Sequence, residues 1–250
     1  MTHSADPPAD AAEMAEPAAS KAPVDATPRP DAASADAPLS ATSLLQPVAT
    51  PPAPAPARKR PKPGERRVQI LQTLASMLEQ PGAERVTTAA LAARLEVSEA
   101  ALYRHFASKA QMFEGLIEFI EQTVFSLIGQ ITDREADMSN QVRRVLTVLL
   151  QFAEKNPGMT RVMVGDALVF ENERLVARMN QFFDRIESQL RQSLRERAHA
   201  AGSATPTVDA NVQAAVLTAF VVGRMQRYTR AGFKRSPTEQ LDAALAMLLG

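Results

Sequence analysis

The sequence contains no cysteine and only three histidines in 250 residues. Without cysteine the chain can form neither a disulfide nor a thiolate metal site. The three histidines, His3, His105 and His199, lie too far apart in sequence to suggest a cluster of ligands. We therefore expect no metal centre, and each histidine is better explained as solvated or hydrogen-bonded.

Long hydrophobic runs and motifs typical of enzymes are also absent. The longest uncharged stretches of the body, 145–153 and 211–223, are well under the roughly 18 apolar residues that a membrane span needs. The N-terminus has acids where a signal peptide has a basic region followed by an apolar run. No glycine-rich phosphate loop, Gly-x-Ser-x-Gly or His-Glu-x-x-His occurs. We expect a cytoplasmic protein that is not an enzyme and needs no cofactor.

The chain has no net charge, since 28 basic side chains balance 28 acidic ones, but the charge is unevenly distributed. Residues 1–57 carry seven acids, two bases and 12 of the 18 prolines, whereas 58–67 carry six bases and one acid. We predict that 1–57 is a disordered acidic tail, because it has too few large apolar residues to form a core. A basic arm, 58–64, follows it. Its Arg58, Lys59 and Arg60 could contact DNA phosphates or the minor groove, and the alternative is a solvated charge run.

The segment 87–106 has the pattern of two short helices joined by a tight turn. Thr87 and Ser98 stand where helix N-caps are needed. Leu102 and Phe106, at i and i+4, would face inward from the second helix. This pattern predicts a helix-turn-helix.

Residues that remain exposed on the second helix suit a DNA major groove. Small side chains at its start let the backbone approach base edges, and the aromatic and cationic side chains can donate to phosphates. An ordinary helical hairpin with a solvated face is the alternative. The candidate DNA contacts are Ser98, Glu99, Ala100, Tyr103, Arg104, His105 and Lys109.

The rest of the chain also has helical patterns, which makes the fold class all-α. Helices are predicted at about 64–80, 108–131, 137–155, 171–201 and 207–231, with a short one after Pro157-Gly158 and a last one after Pro237. We place a DNA-binding domain at 65–125 and a helical dimerisation and partner-binding domain at 126–250.

Three small residues, Ala215, Ala219 and Gly223, repeat at i+4 on the helix 207–231 and permit a close helix crossing. One helix-turn-helix reads only a few base pairs, so two heads related by a two-fold axis are expected. We predict that these residues form the homodimer interface together with the preceding long helix. The alternative is that both helices belong to the core of a monomer.

The motif V-S-E-A-A-L-Y-R-H-F-A-S-K at 97–109 resembles the DNA-binding head of the TetR family of all-helical homodimeric regulators. Further segments resemble the nucleoid occlusion factors of that family: M-F-E-G-L-I-E-F-I-E at 112–121, N-P-G-M-T-R at 156–161, A-L-V-F-E at 167–171 and R-I-E-S-Q-L-R-Q-S-L-R-E at 185–196. The resemblance covers about 65–250. It implies a chromosome-bound protein that also binds the tubulin-like division GTPase FtsZ and prevents its ring from assembling over the nucleoid.

The resemblance adds Thr87 and Thr88 to the candidate DNA contacts, and two departures from the family pattern stand out. A turn position that is often glycine holds Glu96, which would cost about 1 kcal/mol if the backbone there is left-handed. The position after His-Phe, often proline, holds Ala107.

Two other functions fit the same head. A ligand-responsive transcriptional repressor would need a cavity in the body with convergent polar groups. The aliphatic residues of the helix 137–155 argue against one. An architectural helical protein without sequence-specific DNA binding is the third hypothesis.

Phe119 is the candidate FtsZ contact. It lies off the apolar stripe of the helix 108–131, so it is surplus to the main core. Apolar anchors dominate contacts with short peptide segments. The alternative is that Phe119 packs against the first helix of the head.

Overall fold

The computed structural model describes residues 64–80 and 85–250, and the regular structure within these ranges is entirely helical. This confirms the predicted all-α fold. The acidic tail 1–57 and Arg58, Lys59 and Arg60 of the basic arm lie outside the described residues. The described helices are α1 (Glu65–Leu78), α2 (Thr88–Arg94), α3 (Glu99–Tyr103), α4 (Lys109–Arg134), α5 (Met138–Lys155), α6 (Pro157–Met163), α7 (Glu173–Ala200), α8 (Pro206–Arg230) and α9 (Leu241–Leu249), with a single 3-10 turn at Asp166–Leu168.

Local sequence signals set most of the helix starts. Short polar side chains cap five of the helices, each accepting a hydrogen bond from a backbone N–H of the first turn. Pro157 and Pro206 open α6 and α8, where the missing proline N–H leaves no helical hydrogen bond unmade. The five caps are Thr87, Ser98, Ser108, Asp137 and Asn172.

One hydrophobic core continues from the N-terminal helices into the body. α1 packs against α2, α4 and α6, while α4 also packs against α5 and α7. α4 therefore belongs to both parts, and the proposed domain boundary at 125/126 falls inside it. Nine residues of α4 are buried, and they occur along its whole length: Met112, Phe113, Gly115, Leu116, Ile117, Ile120, Val124, Ile128 and Ile131.

The apolar spacing of α1 predicts a stripe that includes Val68, Leu74, Ala75 and Leu78, and that of α4 predicts a stripe that includes Val124, Leu127 and Ile131; the structure differs at single positions of each. Val68 is 54% exposed, and the buried stripe of α1 starts at Ile70 instead. The two positions are about 200° apart around a helix, so they cannot share a face. On α4, Ile128 is fully buried four residues after Val124, whereas Leu127 is half-buried. The last helix begins at Leu241, after Pro237 as predicted.

In the body, α7 and α8 pack along each other over α5. The helical spacing of apolar residues predicts one buried face on α7, and the structure buries all of its members: Leu175, Met179, Phe182, Ile186, Leu190 and Leu194. The aliphatic residues of α5 are buried as expected, among them Val142, Leu146 and Leu150, each 0% exposed. Within the described residues no helix is both long and apolar enough to cross a membrane.

Candidate nucleic-acid interface

The turn between α2 and α3 has the compact geometry of a helix-turn-helix. The Val97 N–H donates to the Ala92 carbonyl over 3.0 Å and closes the turn. Glu96 has φ 55°, so the backbone there is left-handed, the conformation that glycine adopts most easily. The sequence places a glutamate in this position at a cost in stability.

Buried contacts fix α3 against the other head helices. Leu102 and Phe106 are each only 1% exposed. From α1, the guanidinium of Arg67 lies 4.2 Å above the centroid of the Phe106 ring, and its Nη1 donates to the His105 carbonyl over 3.1 Å. Arg67 thereby holds the end of α3, a role that sequence spacing did not reveal because 38 residues separate the two ends of the hydrogen bond.

The structure brings the starts of α2 and α3 together. Thr88 Oγ1 donates to Glu99 Oε2 over 2.6 Å. Thr87 and Ser98 accept the capping hydrogen bonds from Ala90 and Ala101. Most of the predicted contacts lie at the surface. Exposed residues are Thr87, Ser98, Glu99, Ala100, Tyr103, Arg104 and His105, and Thr88 is half-buried.

Lys109 is placed differently from the other predicted DNA contacts. Its ammonium group forms an ion pair with Glu171, which precedes α7 in the body, and lies 5.6 Å from the centroid of the Phe113 ring. The side chains of Lys109 and Glu171 are only 27% and 10% exposed. Lys109 is thus an ionic contact between the start of α4 and the body. A partner 62 residues away could not be found from local sequence.

A second ion pair also joins α4 to α7. Arg178 donates from Nε and Nη2 to the two carboxylate oxygens of Glu121, over 3.0 and 2.5 Å. These hydrogen bonds raise the pKa of the Arg178 guanidinium against the opposing effect of burial. The planar fork of arginine suits such a two-point contact and fixes the geometry more tightly than a lysine would.

The departure at Ala107 has a structural reason. The Ala107 N–H donates to Gln111 Oε1 over 2.8 Å, while the Gln111 N–H donates to Ser108 Oγ over 3.2 Å. This reciprocal pair resembles a capping box at the start of α4. Proline at position 107 would have no N–H to donate.

Phe119 lies on the outer side of α4 and is 48% exposed. Its exposed surface is open to a partner, whereas the alternative prediction is that the ring packs against α1. Within the described residues no group of three or more acidic or histidine side chains is placed to hold a metal ion.

On α8, the predicted dimer residues are accessible in the single chain. Ala215 and Ala219 are exposed, and Gly223 is half-buried. They share this face with Val212, which is 61% exposed, and Val216, which is 49% exposed. The opposite face of α8 supplies its buried residues, so these two faces have separate roles.

Comparison with known proteins decides the family. Residues 70–116 match the model of bacterial regulatory proteins of the tetR family, and 137–249 match an SlmA-like model described as the tetracyclin repressor-like C-terminal domain. The nucleoid occlusion factor SlmA of Photobacterium profundum is 56% identical over 182 residues, which are 72% of this chain and 92% of that protein. SlmA of Vibrio cholerae serotype O1 is 55% identical over 184 residues, 73% and 93% of the two chains. The chain belongs to the SlmA family of nucleoid occlusion factors.

The fold agrees with this membership. The fatty acid degradation regulator FadR of Bacillus halodurans superposes with a TM-score of 0.62 at 15% identity, covering 75% of this chain and 96% of the other. At that identity the likeness concerns the fold alone.

Membership of the SlmA family confirms the predicted class: a homodimeric DNA-binding regulator of the TetR type that is not an enzyme.

Proposed function

We propose that this chain binds specific chromosomal sites as a homodimer, binds FtsZ from there, and prevents Z-ring assembly over the nucleoid. The observation that carries the proposal is the 56% identity to a nucleoid occlusion factor over 92% of that protein's length. On this account the protein is cytoplasmic and associated with the nucleoid.

The starts of α2 and α3 form one part of the proposed DNA surface. The hydroxyls of Thr87 and Ser98 accept capping hydrogen bonds, so each still has a proton to donate to a phosphate oxygen. The bond between Thr88 and Glu99 holds the two helix starts in one arrangement. With Ala100 beside them, the backbone can approach base edges closely.

The other end of α3 supplies the second part of this surface. Tyr103, Arg104 and His105 are exposed and can donate to phosphates. Lys109 is already paired with Glu171, so we assign it a smaller share of DNA affinity than the sequence suggested. Arg58, Lys59 and Arg60 remain proposed contacts of the basic arm.

The apolar face of α8 supports the proposed dimer contact. Ala215, Ala219 and Gly223 form a smooth strip, with Val212 and Val216 alongside. Apart from the adjacent backbone of its own helix, a Cβ added at Gly223 would meet no atom of the chain within 4 Å. This open strip can accept a second helix at close distance.

Phe119 is the proposed anchor for FtsZ. An aromatic side chain that is 48% exposed on a long helix can bury its remaining surface against a partner segment. It lies on α4, which also carries Lys109 and contacts the head. A partner bound there would therefore sit beside the DNA-binding unit.

The packing of α5 favours this proposal over a ligand-responsive repressor. Val142, Val145, Leu146, Leu149 and Leu150 are between 0% and 4% exposed, so their part of the body is filled by side chains. A recess of about 480 Å³ does lie beside α7 and α8, bordered by Val176, Asn180, Phe183, Val222 and Gln226 among others. It opens on the α7 and α8 surface, which the proposed partner subunit would face.

Cell division provides the direct test. Synthesis of the chain would be shut off in its own cells while chromosome segregation is blocked, and the positions of labelled FtsZ rings recorded. We expect rings over unsegregated nucleoids only when the chain is depleted. Rings that avoid the nucleoid equally well without the chain would contradict the proposal.

A further inference from the structure

One contact between α1 and α6 is closer than any side chain would allow. A Cβ built on Gly158 would lie 1.9 Å from the Ala75 carbonyl oxygen and 2.9 Å from its carbonyl carbon. Two other helical glycines, Gly129 and Gly223, would meet nothing within 4 Å. Gly158 therefore marks a place where two backbones touch directly, and the helix alone does not require a glycine there.

Each side of this contact is firmly held by its own part of the molecule. α1 is anchored by its buried residues Ile70, Leu74 and Leu78, and it packs against α2 and α4. α6 is anchored to α5, because the fully buried Thr160 hydroxyl lies 2.8 Å from the Ala153 carbonyl oxygen and 3.0 Å from that of Asn156. The contact thus joins the head to the body through main chain on both sides.

Two ion pairs that also tie α4 to the body are contacts of a different kind. The ion pairs of Lys109 with Glu171 and of Arg178 with Glu121 run through long side chains. Such side chains can change rotamer and follow a small movement. A backbone oxygen against a Cα cannot, because packed interiors leave no room for an extra methyl group without displacement.

We propose that Gly158 is a positioning residue that fixes the distance of the head from the body. Because the two subunits of the proposed dimer are related by a two-fold axis, this distance also sets the separation of their two α3 helices. A methyl group at position 158 would push α1 away by about 1.5 Å, given ordinary contact distances between heavy atoms. A two-headed protein reads half-sites at a fixed spacing, so this shift disturbs specific binding although Gly158 touches no DNA. The inference rests on the proposed dimeric DNA binding.

The test compares Gly158→Ala with Gly129→Ala, a matched control whose added methyl group meets no neighbour. The probes are a duplex selected from a random pool by the native chain, the same duplex with one base pair inserted or removed between half-sites, and a scrambled duplex of equal length. For Gly158→Ala we expect about a tenfold loss of affinity for the selected duplex. Affinity for the scrambled duplex, set by phosphate contacts, should be unchanged. Gly158→Ala should also discriminate less between the selected duplex and the duplexes with one base pair inserted or removed, or it should prefer one of the altered spacings.

A second measurement does not depend on DNA. Because the chain has no cysteine, Ala89→Cys on the exposed side of α2 gives a single spin-label site per subunit. In the free dimer we expect Gly158→Ala to shift or broaden the distance between the two labels, and Gly129→Ala to leave it unchanged. If Gly158→Ala does not fold, Thr160→Val provides a second variant. It removes the hydroxyl that bonds α6 to the Ala153 carbonyl without adding bulk, and it should broaden the distribution of distances between the two labels.

Two outcomes would overturn the proposal. In the first, Gly158→Ala has the same affinity for the selected duplex, the same preference for half-site spacing and the same distance between labels as Gly129→Ala. The other is an equal loss of affinity for all duplexes together with loss of the dimer, which would make the contact merely structural. A failure of the proposed DNA binding itself is distinguishable, since the native chain would then select no duplex while the label distances could still be compared.

Discussion

At Glu96 a charged side chain occupies a left-handed backbone position, with φ 55°. Few residues other than glycine adopt this conformation without strain. The turn is nevertheless closed by the hydrogen bond from Val97 to Ala92. The turn keeps its shape because the packing of α2 against α3 outweighs the local preference of Glu96.

Replacing this residue should therefore stabilise the protein. We expect Glu96→Gly to raise the free energy of unfolding by up to about 1 kcal/mol, because glycine removes the Cβ repulsion in the left-handed region. Urea denaturation followed by circular dichroism measures it. Glu99→Gly, at the start of α3 where the backbone is helical, is the control and should destabilise. A Glu96→Gly variant less stable than the native chain would show that interactions of the Glu96 side chain exceed the strain.

Tyr103 is the clearest test of the DNA surface at the scale of one residue. It is 45% exposed on α3 while Leu102 beside it is buried, so Tyr103→Ala should leave the fold intact. We expect weaker binding to the selected duplex, by up to about tenfold, through loss of a phosphate contact. Binding isotherms at two salt concentrations check this. Unchanged affinity would remove Tyr103 from the interface.

A double-mutant cycle can distinguish two roles of Lys109, as the ion-pair partner of Glu171 and as a DNA contact. If Lys109 acts mainly through Glu171, then Lys109→Ala, Glu171→Ala and the double variant should have similar effects on stability, with a coupling of about 1 kcal/mol for a partly buried pair. If Lys109 instead binds phosphate, Lys109→Ala should weaken DNA binding equally in both backgrounds. Urea denaturation and duplex binding on the same four proteins distinguish these outcomes.

At the scale of helices, the sequence was most informative where local rules decide the structure. N-caps such as Thr87 and Ser98 allowed the starts of α2 and α3 to be predicted closely. It was less informative where a helix meets several neighbours. Val68 and Ile70 are both apolar, and only the position of α2, α4 and α6 around α1 selects Ile70 for burial.

The candidate site shows the same division. The exposed side of α3 followed from the inward positions of Leu102 and Phe106. The partners of Lys109 and Arg178 are 62 and 57 residues away, and no local pattern gives such pairings. The contact of Gly158 with α1 was missed for a similar reason, because a glycine next to a proline indicates a helix break until its neighbour is known.

The exposed face of α8 carries the prediction for the dimer. Gly223→Leu should disrupt the dimer, because its bulk enters the proposed close crossing while meeting nothing within 4 Å at its Cβ in its own chain. Gly129→Leu, equally open, is the control and should remain dimeric. Sedimentation velocity measures both. A dimer retained by Gly223→Leu would exclude the strip of Ala215, Ala219 and Gly223 as the contact.

At the scale of the whole molecule, the continuous core matters most. α4 carries buried residues from the head to the body, along with the exposed Phe119 and the ion pairs of Lys109 and Glu121. A single helix thus connects the DNA surface to the proposed FtsZ contact. The geometry suits a protein whose partner binds beside DNA, and Phe119 is the residue on which that claim depends.

Co-sedimentation with FtsZ polymers tests this claim most directly. The native chain, Phe119→Ala and the control Phe170→Ala, which removes a phenylalanine 66% exposed near the start of α7, would be mixed with polymers in the presence of the selected duplex. We predict that the native chain and Phe170→Ala sediment with FtsZ, and that Phe119→Ala stays in solution while still binding the duplex. Sedimentation of Phe119→Ala at the native level, or of none of the three proteins, would contradict the account.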